Sequence, residues 1–229
     1  MTFTQANLPG LFQSVTDALT KACSELNQAD ARNQNHGDHM VEIFQIATRA
    51  AQEKQEADLS DAMDYASLLL KERTENDSAQ VYARGLTRLA GQFRQKQVTL
   101  DELVRYVRSY LQESDEQKNP KKGAAISRAG DLLKAMLSAL AEWEQVEAGQ
   151  PDARDGLDMG YLFGVGMAYM QAKTQGGGRL EILAETVVSA SPLSRIPYRR
   201  QSGKLVILKL LDTMRVMPGY SSGANSDED

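Results

Sequence analysis

An all-α fold is predicted, and three observations predict it. Apolar residues recur at spacings of three and four along most of the chain. No apolar–polar alternation bounded by hairpin turns occurs anywhere, so the signal for an amphipathic strand is missing. The connections between periodic stretches are mostly short, which favours helices packed against their neighbours in antiparallel pairs. With 229 residues, 41% of them hydrophobic, the chain is long enough for one domain with a full core. That domain is expected over residues 1–217 and a disordered, acidic tail over 218–229, where "GYSSGANSDED" is small and polar.

The elements follow in order. Phe12, Val15, Leu19, Ala22, Leu26 and Ala29 share one face of a first helix, expected to end near Arg32. Met40, Ile43, Phe44 and Ala47 begin a second stripe; Ala62, Tyr65, Leu68 and Leu69 begin a third. Val81, Leu86, Leu89 and Phe93 mark a fourth after "TENDS". The fifth, "VTLDELVRYVRSYL", opens with Thr99 and has Glu102 three residues later, which is a capping-box pattern. "QESDEQKNPKKGAA" reads as a long connection. "ISRAGDLLKAMLSALAEWEQV" and "GLDMGYLFGVGMAYMQAK" are a sixth and a seventh helix, and another runs from Leu180 to Ser189. "SPLSRIPYRRQSG", with two prolines, reads as a loop before the closing helix "KLVILKLLDTMRV". "KLVILKLL" has the composition of a strand, but it continues at helical spacing.

Composition excludes several classes of function. A formal net charge of −5 offers no basic stripe for nucleic acid. No apolar run is long enough to span a bilayer, and the first residues lack the charged and apolar regions of a signal peptide. The single cysteine, Cys23, cannot form an internal disulfide and fits a reducing compartment. A cytoplasmic protein that binds neither nucleic acid nor membrane is expected.

Chemistry-bearing residues concentrate in "LNQADARNQNHGDHM", which holds both histidines, His36 and His39. A loop so rich in oxygen and nitrogen suits a metal ion, a phosphate, or turns made by its own side chains. Asp30, Asp38, His36 and His39 form one candidate set for zinc or manganese. Gly37 is expected in a left-handed turn, which glycine enters at low cost. Ser78 and Ser202 stand where helix four and the closing helix are expected to begin, as N-caps or as hydroxyls reaching a ligand. In an antiparallel bundle these starts share one end, so Asp30, His36, Asp38, Ser78 and Ser202 are expected together. "SGK" at 202–204 is no P-loop: no Ser or Thr follows Lys204 and no strand precedes it. Both histidines lie together and Cys23 lies in an amphipathic stretch, which gives no support to a nucleophilic triad.

The order of these blocks resembles the L subunit of dihydroxyacetone kinase. That family has a helix ending in Leu and Asp, then a D-x-D-[HT]-G-x-N-M loop. Leu26 and Asp30 match the helix end, and His36, Gly37 and Met40 match the loop. "NDSAQVYARGLTRLAGQF", with Ser78 and Ala79, is similar to the family's small-residue turn, and "MAYMQAKTQGGGRL" with "SPLSRIPYRRQSGKLV" is similar to its closing section. The resemblance implies an eight-helix antiparallel barrel binding ADP or ATP at one mouth, with the diphosphate held through magnesium by aspartates. It implies a kinase-like phosphotransfer subunit that depends on a separate K-type subunit to present substrate. On this reading His36, Gly37, Ser78, Ala79, Ser202 and Gly203 face the nucleotide. Asp30, Asn33, Asn35 and Asp38 stand at or beside the metal positions. Two family aspartates are replaced, by Asn33 and Asn35, and an amide lacks the charge that magnesium prefers. The resemblance therefore leaves two further outcomes: an inactive barrel that binds a metal or an apolar ligand, or a scaffold for a partner protein.

Overall fold

The computed structural model describes residues 7–96, 99–112, 174, 178–190 and 196–217. The expected connection at 112–125, the sixth and seventh predicted helices and the acidic tail lie outside these, apart from Gln112. Among the described residues there is no strand, and there are seven helices of any length: α1 Leu8–Ala29, α2 His36–Glu53, α3 Leu59–Lys71, α4 Asp77–Lys96, α5 Leu100–Gln112, α6 Arg179–Ala190 and α7 Pro197–Val216. The class is all-α.

Side-chain pairings fix how the helices run. Thr16 pairs with Thr48 at 3.2 Å and Asn27 with Asp38 at 2.9 Å, so α1 and α2 are antiparallel. Ser14 meets Thr213 at 2.7 Å and Gln201 donates to Glu25 at 2.5 Å, so α7 runs antiparallel to α1. Ser67 bonds the Ala83 carbonyl at 2.7 Å while Arg94 reaches Asp61 at 3.1 Å, which sets α3 against α4 in the same sense. α2 packs on α1, α3 and α4, and α7 packs on α1, α5 and α6. The starts of α2, α4 and α7 therefore lie at one end of the molecule.

The core is built from the predicted stripes of α1 and α2. Leu19, Leu26, Met40 and Ile43 are essentially inaccessible, and the Phe12 and Phe44 rings meet edge to face at 6.3 Å. The face predicted for α3 is rotated from the real one. Leu68 is 56% exposed, while Ala62, Met63, Ala66 and Leu70 are buried. Ser67 lies on this buried face and brings its hydroxyl onto the α4 backbone.

Helix ends depart from expectation for local reasons. α1 stops at Ala29, short of Arg32, because the Asp30 carboxylate accepts the Arg32 and Asn33 amides at 3.3 Å and turns the chain. α5 opens as its sequence suggests: Thr99 Oγ1 accepts the Glu102 amide at 3.2 Å and Glu102 accepts the Thr99 amide at 2.9 Å. α7 begins at Pro197, so the segment expected to be a loop is helical over Pro197–Gly203. Proline at the first helical position loses no hydrogen bond and has the right φ. Ser202 is thus not an N-cap, and Gly203 lies inside the helix.

α6 and α7 are joined by one nearly buried carboxylate. Glu185 is 7% exposed, Lys204 reaches it at 2.8 Å, Arg200 pairs with it, and Ser189 donates at 3.1 Å. Burial alone would raise its pKa. The hydrogen bonds from Lys204, Arg200 and Ser189 outweigh that and hold it at about 2, against an ordinary 4.5. A carboxylate with a lowered folded pKa stabilises the fold above its unfolded pKa. Wild type is therefore expected to lose stability as pH falls from 4.5 toward 2, and Glu185→Gln to lose markedly less over that window. Denaturant midpoints at steps of pH check this; parallel pH profiles would contradict it.

Candidate functional site

The site grows from the α1–α2 turn. The left-handed residue there is Gln34, with φ 56°. Gly37 was the expected one, but it sits within the first turn of α2. Its requirement is space: a Cβ at Gly37 would lie 2.2 Å from the Cys23 carbonyl oxygen of α1. The helices approach so closely there that only a hydrogen fits.

That approach lets α1 cap α2. Asn35, at the N-cap position, makes no side-chain cap bond. Asn27 of α1 does so instead, its Oδ1 accepting the Gly37 amide at 2.7 Å and the Asp38 amide at 3.2 Å. Asn27 Nδ2 donates to Asp38 at 2.9 Å, and the Cys23 thiol donates to the other Asp38 oxygen at 3.2 Å. Asp38 is therefore committed to α1. Cys23 is a poor nucleophile here, since burial, the bond to Asp38 and the charge of Asp38 all raise its pKa.

The histidines belong to helix α2, not to a loop as the sequence suggested. His36 is 4% exposed and its Nε2 lies 2.9 Å from the hydroxyl of Ser202, itself 2% exposed. The Tyr198 ring packs on the imidazole at 4.7 Å. The Ser202 hydroxyl also lies 3.1 Å from the Arg199 carbonyl, and where it donates there, the Nε2 of His36 is the donor to Ser202. In that arrangement His36 takes no proton from Ser202, and the pair holds the start of α7 against α2.

The start of α4 is drawn to the same place by Asn76, which the sequence reading passed over. Its Oδ1 accepts the Ala79 amide at 3.0 Å, and its Nδ2 donates to the His39 carbonyl at 3.3 Å and to Glu42 at 3.1 Å. Asn76 is the cap that Ser78 was expected to be. Ser78 and Ala79 lie buried in the first turn that follows. The asparagine immediately before a helix start was the available signal. Arg199 and Tyr198 were also missed, because nothing in a pair of adjacent arginines shows which is turned inward.

The donor set does not fit a pair of magnesium ions. Asp38 is bound to Cys23 and Asn27, Asp30 to backbone amides of its own turn, and Asn33 is exposed. Among the described residues no group of three or more His, Cys, Asp or Glu is placed to hold a metal. Of the four candidate metal positions only Asp30 and Asp38 carry formal negative charge, and both are engaged in hydrogen bonds.

At the opposite end, a cavity of about 900 Å³ lies between the starts of α1, α3 and α5. Leu8, Ala51, Phe93 and Leu100 supply apolar walls, and Lys54 and Asp58 stand at its polar parts. Among the described residues no helix is long and apolar enough to cross a membrane.

Two outcomes follow. Asn27→Ala is expected to cost about 1–2 kcal/mol and Asn35→Ala almost nothing. Gly37→Ala should cost at least about 2 kcal/mol through backbone displacement. Chemical denaturation of the three variants checks both, and equal losses at Asn27 and Asn35 would contradict the capping across helices. His36 is held at about 4, against an ordinary 6.5, by burial first and by the charge of Arg199 second; Asp30 opposes them, and His39 adds a small lowering. Below pH 6.5 the unfolded chain takes up a proton that the folded chain refuses. Stability is therefore expected to fall by about 3 kcal/mol from pH 6.5 to 4, a decline that His36→Gln should largely remove.

Compared with known proteins, the chain matches no model of a protein family, no curated protein and no solved structure.

Proposed function

We propose that the chain is a nucleotide-binding phosphotransfer subunit similar to the L subunit of dihydroxyacetone kinase, acting with a separate partner that presents the substrate. The observation that carries this reading is the hydrogen bond between His36 and Ser202, 166 positions apart. It joins the two segments that resemble the family's nucleotide loops. The amide of Asn76 brings the third, Ser78 and Ala79, beside the first turn of α2. Three helix starts at one end bring the positive ends of their dipoles together, a setting suited to phosphate. In this reading the chain's own residues bind and orient. Ser202 and His36 hold the start of α7 against α2, and Gly37 allows the close approach that seats His36. Asn33 and Asn35 leave the site without two of the three carboxylates of the family pattern, so the chemistry of the metal positions is altered.

A second reading, a barrel that binds a ligand without catalysis, is favoured by the cavity at the opposite end. Its mixed apolar and polar walls are suited to an amphipathic small molecule.

Thermal unfolding of the full chain with ADP or ATP, each with magnesium, manganese or zinc, separates the two. At a hundredfold excess over Kd, a ligand of the native state stabilises by about 2.7 kcal/mol, which is roughly 5–10 °C in Tm for a chain of this size. Nucleotide is expected to give such a shift in wild type and a clearly smaller one in Ser202→Ala. A shift with metal alone, or a complete lack of nucleotide response, would overturn the first reading.

A further inference from the structure

The cavity between the starts of α1, α3 and α5 is lined by a hydroxyl that the fold does not use. Ser60, in the first turn of α3, is only 6% exposed, yet its side chain has no hydrogen-bond partner among the described residues. It is not among the fully enclosed atoms that lack a partner, so its hydroxyl keeps access through the cavity it lines. A hydroxyl this deeply placed is costly unless water or a ligand bonds it. The charges of the lining are unequally spent. Arg94 is bound by Asp61 and Asp64, and Lys54 lies over the Tyr65 ring at 5.0 Å; none of these three partners lines the cavity. Glu56 and Asp58 line it and pair with nothing among the described residues. Asp58 even stands at the N-cap position of α3 without making the cap bond open to it. The positive ends of the helices do not reverse this sign. Asn7 and Thr99 close the starts of α1 and α5, and Asp58 and Asp61 stand at the start of α3.

Resting on the reading of this cavity as a ligand site, we infer that it takes an organic cation, a protonated amine carried on an apolar body. A primary ammonium has three donors, and the unspent groups of the lining are three acceptors: the Ser60 hydroxyl and the carboxylates of Asp58 and Glu56. Hydrogen bonds between ionised partners are about twice as strong as neutral ones. Leu8, Ala62, Phe93 and Leu100 supply wall for the apolar body. The volume of about 900 Å³ lies within the range of small-molecule sites. An anion of the same shape would face two carboxylates without a cation between them, and a neutral alcohol would leave their charge unmatched.

Calorimetric titration of the full chain with 4-phenylbutylamine, 4-phenylbutanol and 4-phenylbutyrate tests this, since the three share one apolar body and differ in the head group. Wild type is expected to bind the amine about tenfold or more tighter than the alcohol, and the carboxylate most weakly. Asp58→Asn with Glu56→Gln should bring the amine to within about threefold of the alcohol, with a ligand-free Tm close to wild type, because neither carboxylate is bonded in the fold. Should the double variant fail to fold, Glu56→Gln alone carries the test, with a smaller loss expected. Ala57→Trp, which sets a bulky ring on an exposed part of the cavity wall, should weaken the amine as well. Equal affinity for the three probes, or tighter binding of the carboxylate, would overturn the inference and leave the cavity standing as a ligand site. A preference for the amine that survives loss of both carboxylates would show that they are not its anchor, and one untouched by Ala57→Trp would place the amine elsewhere; either overturns the inference. No binding of any probe would overturn both the inference and the reading of the cavity as a ligand site.

Discussion

The contact between Gly37 and the Cys23 carbonyl is the constraint on which the rest depends. It sets how closely α1 and α2 approach, since any side chain at position 37 would meet a backbone oxygen at 2.2 Å. Only at that separation does Asn27 reach the free amides of α2. Only then does the first turn of α2 start early enough to carry His36 inward. From His36 the order passes to α7 through Ser202, and from the His39 carbonyl to α4 through Asn76. One close approach thus organises three helix starts, each held by a side chain from another part of the chain.

The polar residues at this end are paired in a pattern that separates structure from possible binding. Asn27, Asn76, Asp30 and Asp38 each use their side chains on backbone amides or on one another. Such groups rigidify the end of the bundle and leave little capacity for a metal. Arg199 is the exception, with a buried donor that the described residues leave unmatched. The other strongly charged cluster, at Glu185, is matched by two cations and a hydroxyl, and it ties α6 to α7 rather than facing the His36–Ser202 pair. A balanced cluster and an unpaired donor thus lie on the same helix.

The resemblance to a kinase subunit singled out two segments that meet in space, for a reason that holds apart from family. A histidine and a serine that meet at 2.9 Å across 166 positions are brought together by topology, and that topology follows from the alternating directions of helices joined by short turns. The metal positions fared differently. Their residue types were legible, but carboxylates and amides can be spent on helix caps as readily as on cations. Here Asp38 is spent on α1 and Asp30 on its own turn.

By itself the sequence determined the all-α class, the buried stripes of α1 and α2, and the capping box at Thr99 and Glu102, because these depend on spacings of three and four within one helix. Only the tertiary structure decided that Gly37 is required by a neighbouring backbone rather than by a left-handed turn, that Asn27 caps a helix other than its own, and that α3 buries Met63 and Ala66 and leaves Leu68 in solvent. It also decided that Pro197 starts α7 ahead of Ser202, turning an expected cap into a partner for His36. Each of these depends on which helix lies alongside and at what distance. Local periodicity carries no record of that, because the same amide or glycine satisfies a turn, a cap or a close contact equally well until its neighbour is in place.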